Sequence, residues 1–190
     1  MRAFIAIELP QETKLALAKL VEELKKTNAD IKWVAPESLH LTLKFLGDID
    51  DSQAETITTI IENVANNHTS YPVKISSMGA FPKLSLLKVV WAGIDTGAEE
   101  TKQIFKELEE KIEKLGIPKD ERPFSTHITL GRTRSPSNRQ LLAKEIKKIT
   151  EDFKLDNAEF QVKKITLFKS ILSSSGPTYE VLKTASLKTT

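Results

Sequence analysis

The sequence predicts an α+β fold with two similar lobes and largely antiparallel sheets. Amphipathic helical periodicity recurs four times, and strand-like runs often follow one another instead of alternating with helices. A four-residue motif also occurs twice, 87 residues apart, close to half of the 190-residue chain.

Taken in chain order, Ile5, Ile7 and Leu9 alternate with Phe4, Ala6 and Glu8, so residues 4–9 read as a first strand. Its apolar groups lie on both faces, as in a sheet interior. Pro10 ends it and opens a helix over 10–27, in which Leu17, Leu20, Val21 and Leu24 recur at i, i+3, i+4 and i+7. Strands are expected at 31–34 and 39–46, then a second helix carried by Ile57, Ile60, Ile61 and Val64. Runs at 72–79 and 86–94 form the next strands, punctuated by Gly79-Ala80-Phe81-Pro82. A third helix is written by Ile104, Phe105, Leu108, Ile112 and Leu115 and closed by Gly116 and Pro118. A strand at 125–131, a fourth helix with Leu141, Leu142, Ile146 and Ile149, and strands at 158–169 and 178–187 complete the chain. The last two are separated by Ser173 to Pro177. The expectation is eight strands and four helices, in a single bilobal domain over 1–190 with one motif in each lobe.

Composition narrows the chemistry. With 39% apolar and 28% charged residues the chain suits a folded globule, and a net charge of +2 is too small to make its whole surface attract nucleic acid. Any electrostatic site must be local. The absence of cysteine removes disulfides, thiolate metal sites and cysteine nucleophiles, and is compatible with a reducing cytoplasm. No run approaches the roughly 18 apolar residues a membrane span needs, and the apolar start carries Glu8 and is too short for a signal peptide. A cytoplasmic monomer without membrane attachment is expected.

The repeated motif is His40-Leu41-Thr42-Leu43 and His127-Ile128-Thr129-Leu130. With 18 Thr and 22 Leu in the chain, a histidine is followed this way by chance about once in 90, and two of the three histidines on the order of once in 3,000. Strand alternation puts His40, Thr42 and Lys44 on one face and Leu39, Leu41, Leu43 and Phe45 on the core face. In the second copy Ile128 and Leu130 point inward, leaving His127, Thr129 and Gly131 on the other face. Imidazole titrates near neutrality, so two of them flanking a phosphorus can protonate a leaving oxygen and activate a water. The threonine hydroxyls two residues on can donate to the non-bridging oxygens, which makes the pair of motifs a two-sided phosphoryl clamp.

Competing chemistries lack residues. Neither strand face carries a third histidine or a carboxylate to complete a metal site, and His68 sits at a helix end where a solvated or capping role is expected. No Gly-x-Ser-x-Gly elbow, Walker loop or dinucleotide fingerprint occurs. Between Arg122 and Lys148 there are seven basic residues and one acidic, Glu145. Of these, Arg132 and Arg134 follow the second motif directly, where a guanidinium can grip phosphate through paired donors. Arg139 and the helix lysines read as the solvated face of the fourth helix. For Phe45, Phe81 and Trp91 burial in the core is the default.

Together these residues resemble the two-histidine phosphoesterases, specifically the RNA 2′,3′-cyclic phosphodiesterases also called 2′-5′ RNA ligases. The likeness runs from Arg2-Ala3-Phe4-Ile5-Ala6-Ile7 through Trp33-Val34, both motifs with Lys44-Phe45-Leu46-Gly47 and Gly131-Arg132, and Val90-Trp91-Ala92-Gly93, to Gly176-Pro177-x-Tyr179. The resemblance implies a bilobal, pseudo-twofold fold with antiparallel sheets lining a central cleft and helices outside. It also implies metal-independent opening of a terminal 2′,3′-cyclic phosphate to a 2′-phosphate, without cofactor. By the same resemblance His40 is the proton donor to the departing 3′-oxygen, His127 the base that activates water, Thr42 and Thr129 the phosphate ligands, and Arg132 a further cationic contact. Plain alternation turns Arg132 away from His127, so its role requires the strand to end or bulge near Gly131. The partner implied is RNA or an oligonucleotide ending in a 2′,3′-cyclic phosphate, with reversal to 2′-5′ ligation open to the same groups. A non-catalytic RNA end-binding module and a phosphodiesterase for a small cyclic nucleotide are the alternatives.

Overall fold

The computed structural model describes residues 1–174 and 176–189. Strand β1 (Arg2–Glu8) is followed by helix α1 (Gln11–Lys25), β2 (Ile31–Trp33), β3 (His40–Asp48), α2 (Asp51–Ala65), β4 (Tyr71–Phe81) and β5 (Val89–Ile94). Then come α3 (Ala98–Glu113), β6 (His127–Thr133), α4 (Arg139–Glu151), β7 (Glu159–Val162), β8 (Lys164–Ser173) and β9 (Gly176–Ser186). The local signals act as the sequence suggests. Pro10 stands at the N-cap of α1, and α2 begins with a capping box in which Asp50 accepts from the Gln53 N–H while the Gln53 side chain accepts from the Asp50 N–H.

The strands form one sheet in the order β7-β4-β5-β6-β3-β1-β8-β9, with β2 added alongside β6, and every ladder is antiparallel. The order is nearly symmetric about the β6–β3 junction: each motif strand is flanked outward by a strand with an apolar inner face, β5 on one side and β1 on the other. One face of the sheet is covered by the helices. Ile5, Ile7, Leu41, Leu43, Val90, Ala92, Ile128 and Leu130 meet Leu17, Ile57, Ile61, Ile104, Leu108, Leu142 and Ile146 in a continuous core. Burying each such aliphatic side chain is worth about 1.5–3 kcal/mol. The opposite face carries a small separate cluster of Phe4, Ala6 and Phe168 with Tyr179.

The described residues hold nine strands where eight were expected, because the 158–169 run divides at Lys163. Its first part, β7, pairs with β4 at one end of the sheet, and its second part, β8, pairs with β1 toward the other. Helix α3 begins at Ala98, six residues before the apolar repeat shows itself at Ile104. Of the expected Ser173 to Pro177 punctuation, Ser173 closes β8 and Gly176 and Pro177 open β9, and residue 175 lies outside the described residues.

Candidate active site

At the junction of the two halves Leu41 on β3 stands directly opposite Ile128 on β6, both with no exposed surface. One residue to either side, the antiparallel register sets His40 across from Thr129 and Thr42 across from His127, on the face away from the helices. The two histidines are thus diagonal neighbours, a placement that in antiparallel sheets separates residues by roughly 7–8 Å, with the threonines on the other diagonal. Residues 87 apart in the chain meet as one four-cornered group.

Each imidazole is held the same way. His40 Nδ1 donates to the Ser38 carbonyl at 2.7 Å, and His127 Nδ1 donates to the Ser125 carbonyl at 2.7 Å. A carbonyl only accepts, so the proton sits on Nδ1 in both rings and Nε2 is left to exchange protons with a ligand. The turn Pro36–Ser38, closed by the Leu39 N–H to Pro36 carbonyl bond, presents the first of these acceptors. Aromatic side chains pack on both rings: Phe4 and Tyr179 lie 4.8 and 5.3 Å from His40 between centroids, and Phe81 meets His127 edge-on at 4.9 Å.

That packing lowers the pKa of both histidines. Removal of water from the imidazolium is the largest cause for each; the carbonyl bond partly opposes it, and a nearby cation, Lys14 for His40 and Arg132 for His127, adds to it. The Thr42 and Thr129 hydroxyls make no hydrogen bond among the described residues. Nor do three histidine, cysteine or carboxylate groups converge anywhere among those residues.

A one-residue bulge at the same place in each motif strand corrects the expected orientations of Lys44, Phe45 and Gly131. On β3 the register passes from Ala6↔Thr42 to Ile5↔Lys44, skipping Leu43. Lys44 therefore turns into the core, 2% exposed, while Phe45 emerges on the histidine face at 57%. On β6 the register passes from Trp91↔Thr129 to Val90↔Gly131, skipping Leu130. Gly131 therefore faces the core, where Ile31 and Trp33 would lie 2.6 and 2.8 Å from any Cβ, and Arg132 comes round to the histidine face. The bulge that a role for Arg132 required is present.

The other aromatics also leave their default places. Trp91, opposite Thr129, lies flat over Gly79 and Gly93, neither of which has room for a side chain beneath the indole. Phe81 packs on it at 5.3 Å, so both are half-buried on the histidine face instead of in the core. A cavity of about 300 Å³ opens next to them between Gly93, Asp95, Ser125 and Thr126. The larger cavity, about 430 Å³, lies between Leu84 and the Arg139–Lys144 turn of α4 and includes neither histidine. His68 bonds Glu107 at 2.9 Å, far in role from the motifs.

Sequence reasoning missed Lys14, Phe4 and the buried role of Lys44. Lys44 Nζ pairs with Glu109 and donates to the Pro118 carbonyl at 2.8 Å, with Asp120 at 3.5 Å. The strand of the first motif is thereby tied to α3 and to the segment that leads into the second. Only the recurrence of Ser two residues before each histidine hinted at the matched anchoring.

A single sheet that brings two His-x-Thr motifs together across its middle is the arrangement of a phosphoesterase family, and the chain belongs to it: the model for LigT like Phosphoesterase matches residues 7–91 and again 94–179. Among curated relatives, an RNA 2′,3′-cyclic phosphodiesterase of Methanocaldococcus jannaschii is 36% identical over 183 residues, covering 96% of this chain and 99% of the relative. Among solved structures, a Thermus thermophilus protein superposes with a TM-score of 0.82 at 27% identity, covering 100% of this chain and 99% of the other. Escherichia coli LigT in complex with 3′-AMP shares the fold, with a TM-score of 0.79 at 24% identity over 98% of this chain and 97% of its own.

Proposed function

We propose that this protein is an RNA 2′,3′-cyclic phosphodiesterase that opens a terminal 2′,3′-cyclic phosphate to a 2′-phosphate, working as one bilobal catalytic unit over 1–190. The observation that carries the reading is the diagonal pair of imidazoles, both with Nε2 free and both beside an unengaged threonine hydroxyl. Curated relatives at 28–36% identity bear the same activity in their names.

In the reaction water attacks phosphorus as His127 Nε2 takes its proton, the P–O3′ bond breaks, and His40 Nε2 delivers a proton to the departing 3′-oxygen. Water's oxygen ends on phosphorus and the product carries a 2′-phosphate and a 3′-hydroxyl. The division of roles between the histidines follows the family pattern. Thr42 and Thr129 donate to the non-bridging oxygens as charge grows there, and Arg132 adds a cation at the same edge. Two neutral imidazoles cannot act as acid and base together, and the substrate resolves this: a bound phosphodiester anion raises the pKa of the histidine it touches and returns one proton to the pair.

Purified protein offered 2′,3′-cyclic ends, from a mononucleotide to a tRNA half, with EDTA present, should form 2′-phosphomonoesters. Binding without turnover would favour an RNA end-binding module, and turnover confined to the mononucleotide would favour a small-nucleotide enzyme. The cysteine-free composition is compatible with a cytoplasmic setting, and we expect a monomer on light scattering. No helix among the described residues is long and apolar enough to cross a membrane.

A further inference from the structure

Six lysines lie in strands, and five of them find a carboxylate: Lys44 with Glu109, Lys74 with Glu159, Lys164 with Glu8, Lys169 with Glu180 and Lys183 with Glu62. For Lys74 and Lys169 the carboxylate is the residue directly opposite on the neighbouring strand. The sixth, Lys32, stands directly opposite Arg132. Ile31 and Trp33 on either side of it press on the core side of Gly131, so Lys32 and Arg132 share the other face, which is the face of His127 and Thr129. Both side chains are exposed, and neither makes an ion pair or hydrogen bond among the described residues.

Like charges directly opposed across two strands are destabilising. Opposite Lys74 and Lys169 the sheet places a carboxylate; opposite Lys32 it places a second cation, at the edge of the clamp and close along β6 to Thr129. An anion supplied from outside balances the pair. On the phosphodiesterase reading above, the reacting phosphate is already gripped by two threonines and by Arg132, and the next anion along an RNA end is the internucleotide phosphodiester.

We infer that Lys32 is the ligand for the phosphodiester on the 5′ side of the terminal nucleotide, with the several N–H donors of Arg132 bridging from that phosphate to the reacting one. The substrate is then the end of a polynucleotide, and a cyclic mononucleotide, lacking that phosphate, uses only part of the site. Removing the Lys32 charge relieves the repulsion on Arg132 while it weakens the grip on RNA, so stability and recognition move in opposite directions.

The test measures kcat/KM on adenosine 2′,3′-cyclic phosphate and on the dinucleotide ApA ending in 2′,3′-cyclic phosphate, together with Tm, for wild type, Lys32→Gln and Lys32→Glu. The dinucleotide-to-mononucleotide ratio should fall about tenfold in Lys32→Gln and further in Lys32→Glu. Tm should hold or rise in Lys32→Gln and rise by about 2 °C in Lys32→Glu, where a cross-strand ion pair replaces the repulsion. An unchanged ratio, or a Tm that falls in both variants, overturns the inference. Calorimetric binding of 2′-AMP and of ApA bearing a 2′-phosphate reads the same ratio without turnover. Lys32-dependent dinucleotide binding in a wild-type protein that turns over neither substrate would keep this site and remove the phosphodiesterase reading instead.

Discussion

Phe45 and Arg132 stand at equivalent places, each five residues beyond a motif histidine, and a bulge three residues after that histidine turns both onto the cleft face. The two halves are thus alike in backbone and unlike in chemistry: one offers an aromatic ring at this point and the other a guanidinium. A nucleotide has one feature for each, a base with a π face and an anionic phosphate.

Arg132→Lys should already lower kcat/KM on a cyclic mononucleotide, by roughly tenfold, because a point ammonium cannot reproduce a planar grip with paired donors. Phe45→Ala should raise KM more than it lowers kcat, since a lost stacking contact of about 1–3 kcal/mol weakens substrate and transition state alike. Steady-state kinetics of the two variants checks both. An Arg132→Lys enzyme as active as wild type would remove that side chain from the phosphate site.

His40→Ala and His127→Ala should each lose roughly 10²- to 10⁴-fold in kcat, the usual size of a general acid–base contribution. The double variant should lose far less than the product of the two, because neither histidine completes the reaction without the other. Single-turnover assays separate this loss from any change in release. Near-full activity in either single variant would refute the paired assignment.

Both imidazoles have lowered pKa values, mainly through burial, so in the free enzyme each loses its proton below the ordinary value of 6.5. A pair that must hold one proton is then most abundant on the acid side of 6.5, and kcat/KM should already be falling as pH rises through neutrality. Bound phosphate stabilises the imidazolium, which places the alkaline limb of kcat at higher pH than that of kcat/KM. Parallel pH profiles of the two parameters measure the displacement; coincident limbs above pH 7 would contradict it.

Lys44→Ala should destabilise the protein by about 3–5 kcal/mol, since it leaves the Glu109 carboxylate buried without its partner. Lys44→Met combined with Glu109→Leu should recover most of that loss in urea unfolding, because the buried charge goes with its counter-charge. If stability returns and activity does not, the bond to the Pro118 carbonyl and the segment leading to His127 are what Lys44 contributes to the site.

Much of this molecule is written locally. The 3.6-residue repeats placed α1 through α4, alternation placed His40 with Thr42 and His127 with Thr129, and the doubled motif pointed to two halves. Alternation failed beyond the fourth residue of each motif. Whether Leu43 or Leu130 is skipped depends on how the neighbouring strands, β1 and β5, are registered, and no pattern within β3 or β6 carries that information. The same holds for Lys44, whose charge reads as surface until Glu109, 65 residues on, is found beside it. It holds also for Lys32, ordinary in the sequence and exceptional only because the residue across from it is Arg132. Helices and strand faces are set by bonds and side chains a few residues apart, and these the sequence determined alone. The two bulges, the meeting of Leu41 with Ile128 and the partners of each charge are pairings between distant segments, which exist only once the core has closed and the tertiary structure has chosen the register.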